Sequence, residues 1–220
     1  MEKIVLIGSS GHAKVVVDIV EKQARYKIVG FVDSLRPLGA QTLGYEIIGN
    51  EADLPSLISE HRIDGAIVAI GDNAVRESVV TRIAMLCPSL RFVSAIHPAA
   101  VIGIDVSIGA GTVIMAGAVV NPSCQIGDFC IVNTKASLDH DSAMQDFSSL
   151  APGVTTGGSC QVGRSSAVGI GASLRHGVHI GEHAVIGGQS MVLDDVQSYT
   201  VAYGSPAKAV RSRRRGDKYL

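Results

Sequence analysis

From Ile102 onward the chain places an aliphatic residue at every sixth position: Ile102, Ile108, Ile114, Val120, Ile126, Val132, Leu138, Met144 and Leu150. After one interruption at Thr156 the series resumes with Val162, Val168, Leu174, Ile180, Ile186 and Val192. Two places ahead of most of them sits a small residue, such as Ala118, Cys124, Cys130, Ala136 or Cys160, and glycine often follows. A helix repeats about every 3.6 residues and a strand every two, so neither keeps such a period on one face. A three-sided prism does, with three short strands per coil, each turning one aliphatic inward. The coil is then 18 residues long, and no insertion breaks about five of them. Aromatics at 4%, 25 glycines and no tryptophan suit stacked layers of even thickness.

The first 95 residues follow another rule. Buried-strand patterns at 3–8, 27–33 and 65–71 alternate with helix patterns over AKVVVDIVEKQ, 51–61 and 73–86, and LRFVSAI at 90–96 closes the unit. Such alternation argues for a parallel sheet with covered faces. The chain is therefore read as an α/β N-terminal domain with a parallel, Rossmann-like sheet over 1–96. A parallel β-helix with a C-terminal tail follows over 97–220.

A net charge of −1 supplies no field for nucleic acid. The one charge run, Arg211–Arg215, reads either as a solvated tail or as an aid to binding a phosphorylated small molecule. No segment has the roughly 18 consecutive apolar residues of a membrane span, and MEKIVLIGSS is too short for a signal peptide. A cytoplasmic protein is expected. Cys87, Cys124, Cys130 and Cys160 lack metal or redox spacing, and three of them fall on the small-residue positions of the repeat.

Between the first strand and first helix runs Gly8-Ser9-Ser10-Gly11-His12. Glycines there allow close backbone approach, and open N–H groups at a helix start favour a phosphate, although a merely tight turn has the same composition. Asp33 ends the second strand, where Rossmann units hold a ribose hydroxyl. The spacing is not that of a dinucleotide fingerprint, so a nucleotide diphosphate sugar fits better than NAD. Gly71, Asn73 and Arg76 follow the third strand on the same sheet edge. His61 and His97 read as structural. His176, His179 and His183 occupy three different phases of the repeat and do not converge, so no metal is expected.

His140 lies between Asp139 and Asp141 on the outside of the prism. An imidazole whose protonated form is favoured by an adjacent carboxylate suits a general base. One coil further on is Gly158, about 4.8 Å away in an adjacent strand. A glycine there leaves room for a thioester and offers an N–H to its oxyanion. Thr156 breaks the aliphatic row at the same level.

The hexapeptide repeat resembles the left-handed β-helix acyltransferases. Gly8–Lys14, Phe31-Val32-Asp33, Ala69–Asn73 and the closing Gly204-Ser205-Pro206-Ala207-Lys208 are similar to sugar acetyltransferases of the sialic acid O-acetyltransferase group. That group includes the nucleotide-4-amino-sugar N-acetyltransferases. Ile96-His97-Pro98, Ile70–Asn73 and Asp139-His140-Asp141 resemble the perosamine type. The resemblance implies the left-handed coil, a homotrimer, and acetyl-CoA bound between neighbouring prisms. It implies direct acetyl transfer to the C4 amine of a nucleotide-linked 4-amino-4,6-dideoxy sugar, with no metal. It assigns the base to His140 and its supporting acid to Asp141. Asn133, Ser149, Pro206 and Gly158 fall to the oxyanion and donor side, with Ser149 standing where many relatives carry a histidine. Gly8, Ser10, Gly11, His12, Asp33, Gly71, Asn73 and Arg76 fall to the nucleotide sugar. The rival readings are sugar O-acetylation and a non-catalytic β-helix scaffold.

Overall fold

The computed structural model describes residues 1–219. Its first domain is one sheet in the order β3-β4-β2-β1-β5-β6. The strands are β1 (Glu2–Ile7), β2 (Tyr26–Val32), β3 (Gln41–Thr42), β4 (Tyr45–Gly49), β5 (Gly65–Val68) and β6 (Arg91–Phe92). The long aliphatic run of β1 places it in the middle, parallel to β2 and β5. The chain leaves β1 through α1 (Gly11–Gln23) toward β2, and leaves β5 through α3 (Asn73–Leu86) toward β6. These exits run in opposite directions, so the carboxyl ends of β1 and β5 flank a crevice where open α/β sheets bind ligands. Beside β2, an antiparallel pairing of β3 with β4 fills a stretch in which the sequence pattern shows no element. A short 3-10 turn at Glu51–Asp53 leads into α2 (Leu54–His61).

The second domain is the three-sided prism. Parallel rungs repeat at 18-residue spacing, as in Ala95↔Val113↔Ile131↔Ser149↔Ala167↔Val185 on the first face. Equivalent stacks through Val101, Val119 and Ser137 make the second face, and stacks through Ser107, Gln125 and Ala143 the third. The ladder begins at Ala95, inside the segment expected to close the first domain, and runs to Ala202. It therefore holds about six coils of 18 residues. A hairpin of Thr200–Gly204 and Ala207–Ser212 ends it.

The hexad has a backbone reason. Three places after each inward residue from Ile102 to Ile186 the corner adopts a left-handed conformation, as at Gly111, Gly153, Lys135, Asp141, Ser159 and Gln189. The aliphatics themselves form one continuous core with the small residues, including the buried Cys124, Cys130 and Cys160.

Two aromatics occupy left-handed corners, Phe129 at φ 54° and Phe147 at φ 59°. Their rings stack 5.0 Å apart, and Phe92 meets Phe129 edge-on. This column faces the first domain, where it shares a core with Val79, Ile83 and Leu90. The buried face of α1 packs on Val113, Met115 and Ile131 of the prism. The two domains thus meet across apolar surfaces continuous with their own cores.

Candidate active site

His140 stands on the corner between the second and third faces, between the rungs Ser137–Leu138 and Ala143–Met144. Its neighbours hold the backbone of this corner. Asp139 Oδ1 accepts the His140 N–H at 2.9 Å and also the Asn121 side-chain amide. The Asp139 N–H goes to the Thr156 hydroxyl at 2.9 Å. Equivalent N–H groups such as that of Asn121 bond a ladder carbonyl instead. The break in the aliphatic row is therefore a hydroxyl that braces the His140 corner.

The imidazole is half exposed, and its Nδ1 lies 2.7 Å from Asp141 Oδ2. The Asp141 hydrogen bond holds the imidazole pKa above its ordinary value, with the Asp139 and Asp141 charges acting in the same direction. Nδ1 donates to Asp141, which leaves the Nε2 lone pair free as a proton acceptor.

Cε1 and Nε2 of His140 lie over Gly158, each 2.6 Å from where a β-carbon would sit. Among the described residues the Gly158 N–H has no acceptor. A free N–H beside a basic nitrogen can stabilise an oxyanion while the base takes a proton. His176 follows in the same column, its ring centre 6.3 Å from that of His140. His176 shares the phase of His140 in the repeat, two coils further on, and that spacing is the signal in the sequence that places it here. Burial pushes the Cys130 thiol up to about 11, and that of Cys160 up as well, so neither is a ready nucleophile.

A second set of expected residues gathers between the domains. His12, Gly71, Asn133 and Ser149 line a cavity of about 470 Å³ whose floor is the first face of the prism. Burial, with the Arg76 charge adding to it, pushes His12 down to about 4, so its imidazole is neutral. Its Nε2 is buried with no partner among the described residues.

A third set rims the crevice of the first domain. Gly8, Ser10 and Asp33 line a cavity of about 350 Å³ there, and Ser10 and Gly11 share a neighbouring basic pocket with Lys14 and Arg36. Gly8 lies against Ile70, with its missing β-carbon 2.9 Å from Ile70 Cγ1. Ser10 makes no side-chain cap, so the first N–H groups of α1 stay open for an anion. Asp33 accepts the Ser9 N–H at 2.9 Å, the Ser9 hydroxyl at 2.6 Å and the Leu35 N–H at 2.8 Å. Burial opposes its ionisation, but these bonds outweigh that and hold its carboxyl below the usual range.

Two expectations are corrected. Arg76 is fully buried, and its guanidinium donates to the carbonyls of Phe129, Ile70, Gly71 and Phe147 and to Asn73 Oδ1. All five N–H donors are used, so none is left for a nucleotide. Asn73, equally buried, donates to Ser149 Oγ at 3.1 Å and to the Ser166 carbonyl at 3.0 Å. Both residues tie the start of α3 to the prism. Within the arginine run only Arg213 is buried; Arg211, Arg214 and Arg215 are exposed, although Arg215 lies 3.2 Å from Glu77. Pro206 is exposed in the turn of the last hairpin and lines none of these cavities.

Residues 3–83 match the model of the PglD N-terminal domain. PerB from Caulobacter crescentus, solved in complex with CoA and GDP-perosamine, is similar over 96% of this chain and 98% of its own, at 33% identity and a TM-score of 0.89. The acetyltransferase domain of PglB from Neisseria gonorrhoeae, solved with acetyl coenzyme A, is similar over 95% of this chain and 99% of its own, at 32% identity and a TM-score of 0.87. The chain belongs to this family of sugar N-acetyltransferases. The first domain and the left-handed β-helix of the family both lie within it. A GDP-perosamine N-acetyltransferase of Escherichia coli is 24% identical over 179 residues, covering 79% of this chain and 78% of that protein. The chain spans half the length of a chloramphenicol acetyltransferase from Morganella morganii that it matches at 34% identity over 106 residues. Among the described residues no group of side chains could hold a metal ion, and no helix is long and apolar enough to cross a membrane.

Proposed function

We propose that the protein transfers the acetyl group of acetyl-CoA to the C4 amine of a nucleotide-linked 4-amino-4,6-dideoxy sugar. The observation that carries this reading is the Asp141–His140 pair aimed over Gly158. The amine attacks the thioester carbonyl and a C–N bond forms. His140 Nε2 accepts the amine proton. The Gly158 N–H stabilises the oxyanion of the tetrahedral intermediate. As the C–S bond breaks, the imidazolium returns its proton to the departing thiolate, so CoA leaves as the thiol and the base is regenerated. No covalent enzyme intermediate forms.

The nucleotide diphosphate occupies the crevice at Gly8–Gly11, and the sugar reaches past Ile70 and Gly71 into the interdomain cavity. Within one chain this cavity opens on the first face of the prism, whereas His140 stands on the corner between the other two. The active form is therefore a homotrimer in which the cavity of one copy meets the His140 corner of another. Two exposed side chains support this: Ile104, in the column of His140, is 81% exposed, and Ile170, on the wall of the cavity, is 62% exposed. Packing of copies would cover both.

Incubation with acetyl-CoA and UDP-, GDP- or dTDP-linked 4-amino sugars, read by mass spectrometry, tests the reading. An amide product from one of them is expected. Acetylation of a hydroxyl sugar with no amide formed would replace it with O-acetyl transfer, and no acetyl transfer at all would leave the scaffold reading.

A further inference from the structure

His140, Gly158 and His176 occupy the same corner of three successive coils, at 18-residue spacing. The backbone holds these corners in line. The Ser159 N–H donates to the His140 carbonyl at 2.8 Å, and the Gly177 N–H to the Gly158 carbonyl at 2.9 Å. Two adjacent glycines make the middle corner unlike its neighbours. Gly158 leaves room for the His140 ring, and Gly157, whose β-carbon would sit 2.6 Å from the His176 backbone nitrogen, lets the next coil close in. Gly157 also takes the place that Asp139 holds one coil earlier. Asp139 Oδ1 accepts the His140 N–H at 2.9 Å, whereas the Gly158 N–H has no acceptor among the described residues. The imidazoles of His140 and His176 stand on either side of this open N–H. Their ring centres are 6.3 Å apart with the planes inclined at 48°, so they do not stack. Among the described residues the histidines in ion pairs are His140, with Asp141 at 2.7 Å, and His179, with Asp195 at 3.7 Å. The exposed His176 ring has no carboxylate to orient it as a base.

We propose that His176 is a second hydrogen-bond donor to the thioester carbonyl of acetyl-CoA, facing the base His140 across Gly158. The inference rests on the function proposed above. The oxyanion formed when the amine attacks offers several lone pairs, and the Gly158 N–H meets one of them. In the proposed trimer the cavity of another copy covers this corner and excludes water, so the remaining demand falls on protein donors. Oxyanion sites are built from backbone N–H groups together with side chains, imidazoles included. An imidazole keeps at least one N–H in either protonation state, so His176 can donate whatever its charge. It gives a hydrogen bond and moves no proton: the amine proton passes to His140 and from there to the departing thiolate. The fold makes no claim on the ring, and replacing an exposed side chain without partners costs little stability.

The test is steady-state kinetics of the full chain and of its His176→Ala, His176→Phe and His176→Gln variants, with both substrates varied and melting temperatures recorded. His176→Ala should lower kcat by about 10²-fold, the scale of a lost oxyanion donor, and leave the nucleotide-sugar KM within about twofold. His176→Phe keeps a ring without an N–H and should lose as much. His176→Gln keeps an N–H and should recover about tenfold of that loss. Raising the pH should restore none of them, because a missing donor does not titrate. A kcat within about twofold of the unaltered chain in folded His176→Ala or His176→Phe would overturn the proposal. So would a loss that higher pH repairs, which would mark His176 as a second base. If the unaltered chain acetylates no nucleotide amino sugar, the functional reading itself fails and takes this inference with it.

Discussion

His140 Nδ1 and Asp141 Oδ2 are 2.7 Å apart although they belong to consecutive residues. The pairing coincides with the left-handed backbone of Asp141, φ 58°, at a prism corner. The same corner that closes the coil therefore orients the base. In the proposed mechanism the neutral imidazole is the reactive form, and its raised pKa then means that activity grows as pH rises through that elevated value. Asp141→Asn removes the largest cause of the shift, so the acid limb of kcat/KM should move to lower pH. The same change should lower kcat by about tenfold or more through loss of ring orientation. A pH profile with an unmoved limb would show that Asp141 does not tune the base.

Gly158→Ala should abolish most turnover with little effect on folding. The new methyl would sit 2.6 Å from His140 Cε1 and Nε2, in the space needed for the thioester. A fall in kcat of at least about 10²-fold, the scale of a lost oxyanion contact, is expected. Raising the pH should not restore it, because a steric block does not titrate.

Arg76→Ala should act on stability rather than on recognition. It leaves the buried carbonyls of Ile70, Gly71, Phe129 and Phe147 without their donor. A loss of about 3 kcal/mol or more is expected in denaturant unfolding. A selective rise in the KM for nucleotide sugar, with stability unchanged, would return Arg76 to the binding site.

Subunit mixing tests the proposed trimer and the site shared between its copies. His140→Ala lacks the base, and Ala151→Trp fills the cavity from the prism side. Each homotrimer should be nearly inactive. Co-expression should restore activity, because a mixed trimer can join an intact cavity from one copy to an intact His140 corner from another. No recovery in proven mixed trimers would place the whole site within one chain.

The prism was legible because its core demands one aliphatic per rung, a constraint that shows directly in a six-residue period. The helix over 73–86 was legible for a similar reason, in its apolar spacing, and the Asp72 side chain caps its start by accepting the Val75 N–H. The β3–β4 pairing was not, since β3 has only two residues and Tyr45–Gly49 of β4 shows no strict apolar–polar alternation. Asn73 and Arg76 were correctly placed after the third strand and wrongly given a ligand. Their partners, Ser149, Phe129 and Phe147, lie far along the chain, and no local pattern announces contacts of that range. The burial of Arg213 within the otherwise exposed arginine run was not legible, because the His183 carbonyl that receives it belongs to a distant element. For His176 the phase was visible and was read only against metal binding. Stacking by coil, the same rule that paired His140 with Gly158, puts it in the active-site column.

The central claim is that His140 takes the proton from the attacking amine. Its most direct test is kcat for His140→Ala and the unaltered chain, with a nucleotide amino sugar as acceptor, from neutral to strongly basic pH. The account predicts a loss of about 10² to 10⁴-fold at neutral pH. It also predicts partial recovery as the amine loses its own proton, while the unaltered chain stays level once its base is neutral. A His140→Ala enzyme with near-normal kcat at neutral pH would contradict the claim, and His12, the neutral imidazole of the interdomain cavity, would then be the group to test.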